Sequence, residues 1–212
     1  MSIAGTKVPW GGTIVGVQPR IRLIRSFDQA SHTYQGHVLR MQGRIGGEQR
    51  PFVVALGKGA QGKHGPLVGD TVSGLGEPVA VPETEVADLY KVSQVAVERS
   101  GSTERPSPPP WREPPPSLDV YRARGHRRLD AERFSAECTT CVWGCEMAVE
   151  IIIDQWNPSK VRWRRETFCY GPKSCRLYKA GPTRKVPGRK GMSWTEDDWI
   201  DQEATAHRGD DE

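Results

Sequence analysis

The sequence predicts a mainly β protein made of two small units joined by a proline-rich connection. Apolar and polar residues alternate through the first hundred positions, seven prolines fall within residues 100–118, and all five cysteines lie between Cys138 and Cys175. Apolar residues make up 36% of the 212, with 23 glycines and 17 prolines, and long helical patterns are missing, so small cores linked by turns are expected. No apolar run approaches the roughly 18 residues of a membrane span. The opening M-S-I-A-G-T-K lacks the apolar core of a secretory signal, which predicts a cytoplasmic protein with no membrane partner and with reduced thiols. The expected units are 13–99, a linker over 100–118, a cysteine-rich module over 119–180, and a basic arm with an acidic tail over 181–212.

Residues 1–12 read as a loosely ordered lead. From Arg20, R-I-R-L-I-R-S-F alternates around Ile21, Leu23 and Phe27, as a strand with one buried face does. A second strand runs from Thr33 to Ile45 with Gly36 and Gly43 inside it, where glycine permits a bulge or sharp bend. P-F-V-V-A-L-G is a third strand, K-G-A-Q-G-K-H-G-P a polar connector, T-V-S-G-L-G-E-P-V a fourth and A-D-L-Y-K-V-S-Q-V-A-V-E a fifth. Glycines at 57, 59, 62 and 65 lack the G-K-S or G-K-T ending and the helix of a phosphate loop.

Five strands with a connector before the fourth, and V-G-D-T-V at 68–72 entering that strand, resemble an OB-fold, a small five-stranded barrel. The resemblance implies a binding face on the second and third strands. There Arg40 and Arg44, with Lys63 of the connector, would hold a phosphate backbone and Tyr34 would stack on a base.

The second module is organised by C-T-T-C-V-W-G-C at 138–145 and C-Y-G-P-K-S-C at 169–175. Between them, an apolar run from Ala148 to Ile153, a turn at Asn157-Pro158 and an extended run from Val161 to Phe168 predict a β-hairpin with the cysteines at its open end. This layout resembles a divergent zinc ribbon. Its simplest ligand set is Cys138, Cys141, Cys169 and Cys175 with Cys145 standing aside. A competing set uses Cys145. Four thiolates suit zinc, and an iron–sulfur cluster is the alternative cofactor.

Charge is uneven along the chain. From Lys160 to Lys190 there are 11 Lys or Arg and one acid, Glu166, whereas from Gly191 onward eight acids face Arg208 alone. A basic segment interleaved with Trp163 points to a polyanion. The resulting expectation is a metal-containing protein that binds single-stranded DNA or RNA through Arg162, Trp163, Arg164, Arg165, Lys185 and Arg189 as well as the barrel residues. The alternatives are a protein-interaction or assembly module, docking through Trp111 or the C-terminal arm, and an iron–sulfur electron carrier. The five histidines sit in no catalytic motif, so an enzyme is not expected; Cys145 is the one candidate nucleophile. Asp130 is a candidate helix cap, Ser193 a second, and the last ten residues are expected to be disordered.

Overall fold

The computed structural model describes residues 5–99 and 109–209. β1 (Val8–Ser26) and β2 (Gln29–Ile45) form a long antiparallel hairpin whose register shifts between Ile14 and Gly16 and between Arg20 and Ile21. Each shift bends the strand and adds twist. β3 (Glu48–Gly57) runs back along β2, α1 (Lys58–His64) makes the connection, and β4 (Thr71–Pro78) and β5 (Leu89–Glu98) follow. β4 pairs with β5 and, over Val8–Thr13, with β1, while β5 meets β3 at Leu89 and Val54.

The second half begins with α2 (Leu118–Arg124), β6 (Arg127–Arg128) and α3 (Ala131–Arg133), which passes into a π turn over Phe134–Cys138. β7 (Gly144–Ile152) and β8 (Val161–Cys169) form a hairpin. β9 (Arg184–Pro187) and β10 (Ser193–Glu196) make a second, two-stranded sheet, and α4 (Asp198–Ala204) follows.

β1 connects the halves because its two ends serve different cores. Trp10, Ile14 and Val17 are buried with Leu39, Phe52 and Val54. Ile21 and Leu23 are buried instead with Val149, Ile151 and Phe168. Full burial of each such side chain contributes about 1.5–3 kcal/mol, which favours continuing β1 past the first core. At Leu23–Arg25 it pairs in parallel with Val149–Ile151 of β7, giving one eight-stranded mixed sheet in the order β2-β3-β5-β4-β1-β7-β8-β6. The expected OB-like barrel followed by a zinc-ribbon-like hairpin module is corrected accordingly: β7, β8 and β6 extend the sheet that β1 belongs to.

Other expectations also change. Residues 8–12 of the lead are part of β1, with Trp10 buried, residues 1–4 lie outside the described residues, and the polar connector is helical over Lys58–His64. Ser193 starts a strand rather than capping a helix. The chain end packs through α4 and the buried Arg208; residues 210–212, and the linker prolines Pro106 and Pro108, lie outside the described residues. The acidic tail turns inward onto arginines of β1 and β6. Arg128 pairs with Asp198 and Asp201, and Arg25 with Glu166 and Glu196. No helix among the described residues is long and apolar enough to cross a membrane.

Candidate thiol site

The segment that carries the first cysteines is fixed from both sides. Asp130 Oδ1 accepts the Arg133 amide at 2.9 Å, capping the short helix that leads into the π turn ending at Cys138. The Cys141 amide then donates to Cys138 O and the Gly144 amide to Cys141 O, both at 3.1 Å, so the chain turns tightly and enters β7. Gly144 is required there, since a Cβ would lie 2.6 Å from Cys138 O and 2.7 Å from Gln18 Nε2. In the β7–β8 register Gly144 faces Cys169, which sets the end of β8 beside this turn. A further turn, with the Cys175 amide donating to Pro172 O at 3.2 Å, returns Cys175 to the same place.

Cys138, Cys141, Cys169 and Cys175 thereby line one cleft. Its volume is only about 10 Å³, barely room for one water. Trp111, Trp143 and Tyr178 pack against it, and the Val142 amide donates to Trp111 O at 2.8 Å, holding the described end of the proline-rich segment across the cluster. All five cysteines are free thiols; Cys175 is half-buried and the others are buried. Cys145 is elsewhere, fully enclosed in the core with Met147 and Tyr170, its thiol 3.5 Å from Pro19 O.

Burial pushes the Cys138 thiol up to about 12 and that of Cys141 to about 11, and raises Cys145 further. Burial also raises Cys169, but here the Gly171 amide, 3.4 Å from the sulfur, and the charge of Arg127 act in the opposite sense. Arg127 is held by Pro172 O at 3.0 Å and stacks on Tyr178 at 3.8 Å.

The expected zinc or iron–sulfur centre is not supported. Among the described residues no group of three or more His, Cys, Asp or Glu side chains is arranged to hold a metal ion. Cys138, Cys141 and Cys169 belong instead to an apolar cluster with Leu129 and Phe134 packed among them, Cys175 stands half-buried at its edge, and Cys145 lies in the other core.

The predicted nucleic-acid surface also fails to assemble. Tyr34 is buried. Arg40 donates to Gln18 at 2.9 Å and pairs with Glu146, Arg164 binds Glu166 and Lys185 O, and Arg165 donates to Pro82 O and Glu85 O. Trp163 is half-buried and stacks with Arg22. Arg44, Lys63, Arg162, Lys185 and Arg189 are exposed, but they stand on β2, α1, β8, β9 and the turn after it, not on one stacking platform. Of the two aromatics expected there, Tyr34 is spent in a core and Trp163 on Arg22, and most of the inner arginines are consumed in ion pairs.

Sequence reading misses Gln18 and Arg127. Gln18 is fully buried in β1, and its Nε2 donates to Cys138 O and Cys141 O, each at 2.9 Å. The only sign of it in the sequence is a polar residue between Val17 and Pro19 in an otherwise apolar stretch. No known protein family, curated protein or solved structure matches the chain.

Proposed function

We propose that the protein is a thiol–disulfide module whose four clustered cysteines respond to a small disulfide oxidant. The observation that carries this reading is the convergence of four free thiols from two chain segments on a cleft too small for any substrate. With no room for a substrate, the chemistry there is sulfur exchange between neighbours and with a reagent reaching the cleft edge.

Cys175 is the reachable thiol, being half-buried while its neighbours are buried. Its thiolate attacks the disulfide R′SSR′, forming a mixed disulfide and releasing R′SH. Cys169, aided by the Gly171 amide and Arg127, then displaces the second R′SH and closes a Cys169–Cys175 bond. Two protein thiols are oxidised and one R′SSR′ is reduced to two R′SH, which balances protons and electrons. Cys138 and Cys141, held as thiols by burial, exchange only after that first bond exists. The partner implied is a thiol compound or a thiol-bearing protein able to approach Cys175.

Differential alkylation and mass spectrometry after equilibration in glutathione buffers from about −320 to −180 mV tests the reading. The expected result is a two-electron transition with Cys169 and Cys175 protected together, and no transition in Cys175→Ser. Four thiols that stay alkylatable throughout would overturn it, as would a stoichiometric metal released when the cysteines are modified.

A further inference from the structure

A second cavity lies away from the thiols, between the β1–β2 hairpin, β6, β8 and α4. It measures about 170 Å³ and is walled mainly by Leu23, Phe168, Ile200 and Ala204. A cavity of about 150 Å³ accommodates benzene, so this one has room for a single six-membered ring with a small substituent.

Its polar lining is unusual in what remains unused. Arg25 spends two nitrogens on Glu166 and Glu196, yet its Nε is buried without a hydrogen bond. Glu196 Oε2 and His32 Nε2 are likewise buried and unpartnered. Arg128 and Asp201, also in the lining, are by contrast committed to each other and to Asp198. A buried polar atom with no partner costs about 1–3 kcal/mol, and three around one cavity mark a place where a ligand gains by supplying them.

The charge count decides the kind of ligand. Four cations, Arg25, Arg128, Arg164 and Arg184, are paired with four acids, Glu166, Glu196, Asp198 and Asp201. His32 and His126, with ring centroids 4.9 Å apart, are both held neutral at pH 7 by burial, His32 being lowered to about 4. An ionic guest would carry uncompensated charge into this balanced site. Arg25 Nε can only donate and Glu196 Oε2 only accept, so the matching guest offers both an acceptor and a donor.

We propose that this cavity binds a small neutral ring carrying an amide edge, its carbonyl taking the Arg25 Nε–H and its N–H donating to Glu196 Oε2, with His32 Nε2 as the third contact. The inference is independent of the thiol chemistry.

The test is a protein-observed NMR titration with 2-pyridone, a neutral six-membered lactam, beside benzoate, benzamidinium and benzene. The expected result is saturable shifts of the His32 and His126 ring signals and the Ala204 methyl with 2-pyridone, the two ions binding at least about tenfold more weakly. Ala204→Leu should abolish the shifts by filling the cavity. His32→Phe, which keeps the ring, should weaken 2-pyridone about tenfold and leave benzene unaffected. If Ala204→Leu fails to fold, His32→Phe decides alone. No saturable shift with 2-pyridone, equal binding of all four compounds, a soaked crystal showing only water in the cavity, or 2-pyridone binding unchanged in His32→Phe would each overturn the proposal.

Discussion

Replacing Gln18 by Leu should loosen the cysteine turn from the N-terminal strands without removing any thiol. The amide makes three hydrogen bonds, donating to Cys138 O and Cys141 O, both buried, and accepting from Arg40 Nε, all at 2.9 Å. The two carbonyls keep their turn bonds from the Cys141 and Gly144 amides, so each lost donor costs about 1 kcal/mol rather than a full orphaning penalty. Arg40 is the larger loss: its Nε is left without its partner beside the Phe134 ring, a cost of about 1–3 kcal/mol for a charged donor. The sum is about 3–5 kcal/mol, since leucine of similar volume leaves no cavity to add to it. Urea denaturation reads the stability. Labelling of Cys138 and Cys141 by a thiol reagent under native conditions reads the local loosening, and both should accelerate. Arg40→Met alone and with Gln18→Leu completes a cycle whose coupling should exceed about 1 kcal/mol. A Leu variant within 0.5 kcal/mol of the parent, the size of a neutral surface change at about that figure, with unchanged labelling, would refute the claim that Gln18 ties the turn to β1.

Three further outcomes follow from other features. Burial lowers His37 to about 4 from its ordinary 6.5, so its stabilising contribution is complete above pH 6.5 and is lost as pH falls through 4. At about 1.4 kcal/mol per unit this amounts to roughly 3 kcal/mol at most, and His37→Phe should flatten the acid limb of stability measured by urea titration between those pH values. Gly36→Ala should destabilise by more than about 2 kcal/mol, because φ is +140° and a Cβ would collide with the Leu56 carbonyl, whereas Gly46→Ala, with open space and φ of +59°, should cost about 1 kcal/mol in thermal melts. Because β1 is shared by both cores, we expect a single calorimetric transition in which the two halves melt together, and two resolved transitions would count against that coupling.

What the sequence made legible was local. The alternation around Ile21 and Leu23, the returning strand at Phe52–Leu56, the β7–β8 hairpin and the Asp130 cap are each written in neighbouring residues, and they appear at those positions. The start of β1 was hidden because Gly11 and Gly12 look like loop. Close approach is the reason at the Gly12–Gly43 pair: a Cβ on Gly12 would strike Gln42 O and one on Gly43 would strike Gly11 O, so bare backbone is what lets β1 and β2 pair so closely there. The parallel pairing of Leu23–Arg25 with Val149–Ile151 joins residues far apart in the chain, and alternation carries no information about which strand is the neighbour. Charge misled most. A basic run followed by an acidic tail reads as two surfaces, yet Arg164 and Arg184 of the run both bind Glu166, while Glu196 and Asp201 of the tail face Arg25 and Arg128 from other strands, so much of that charge is spent on internal pairing. The cysteine spacing indicated that the thiols would converge, but spacing cannot tell a ligand set from an apolar cluster.

The strap formed by Pro109, Pro110 and Trp111 has a kinetic consequence. Proline has no N–H to trade with water and a fixed φ, so few shapes are open to this segment, and the bond from Val142 N to Trp111 O ties it over the cluster. We expect reagents to reach Cys138 and Cys141 only when the strap is displaced. Their modification rates should therefore level off as reagent concentration rises, at a ceiling equal to the opening rate of the strap, while the rate at Cys175 continues to climb in proportion.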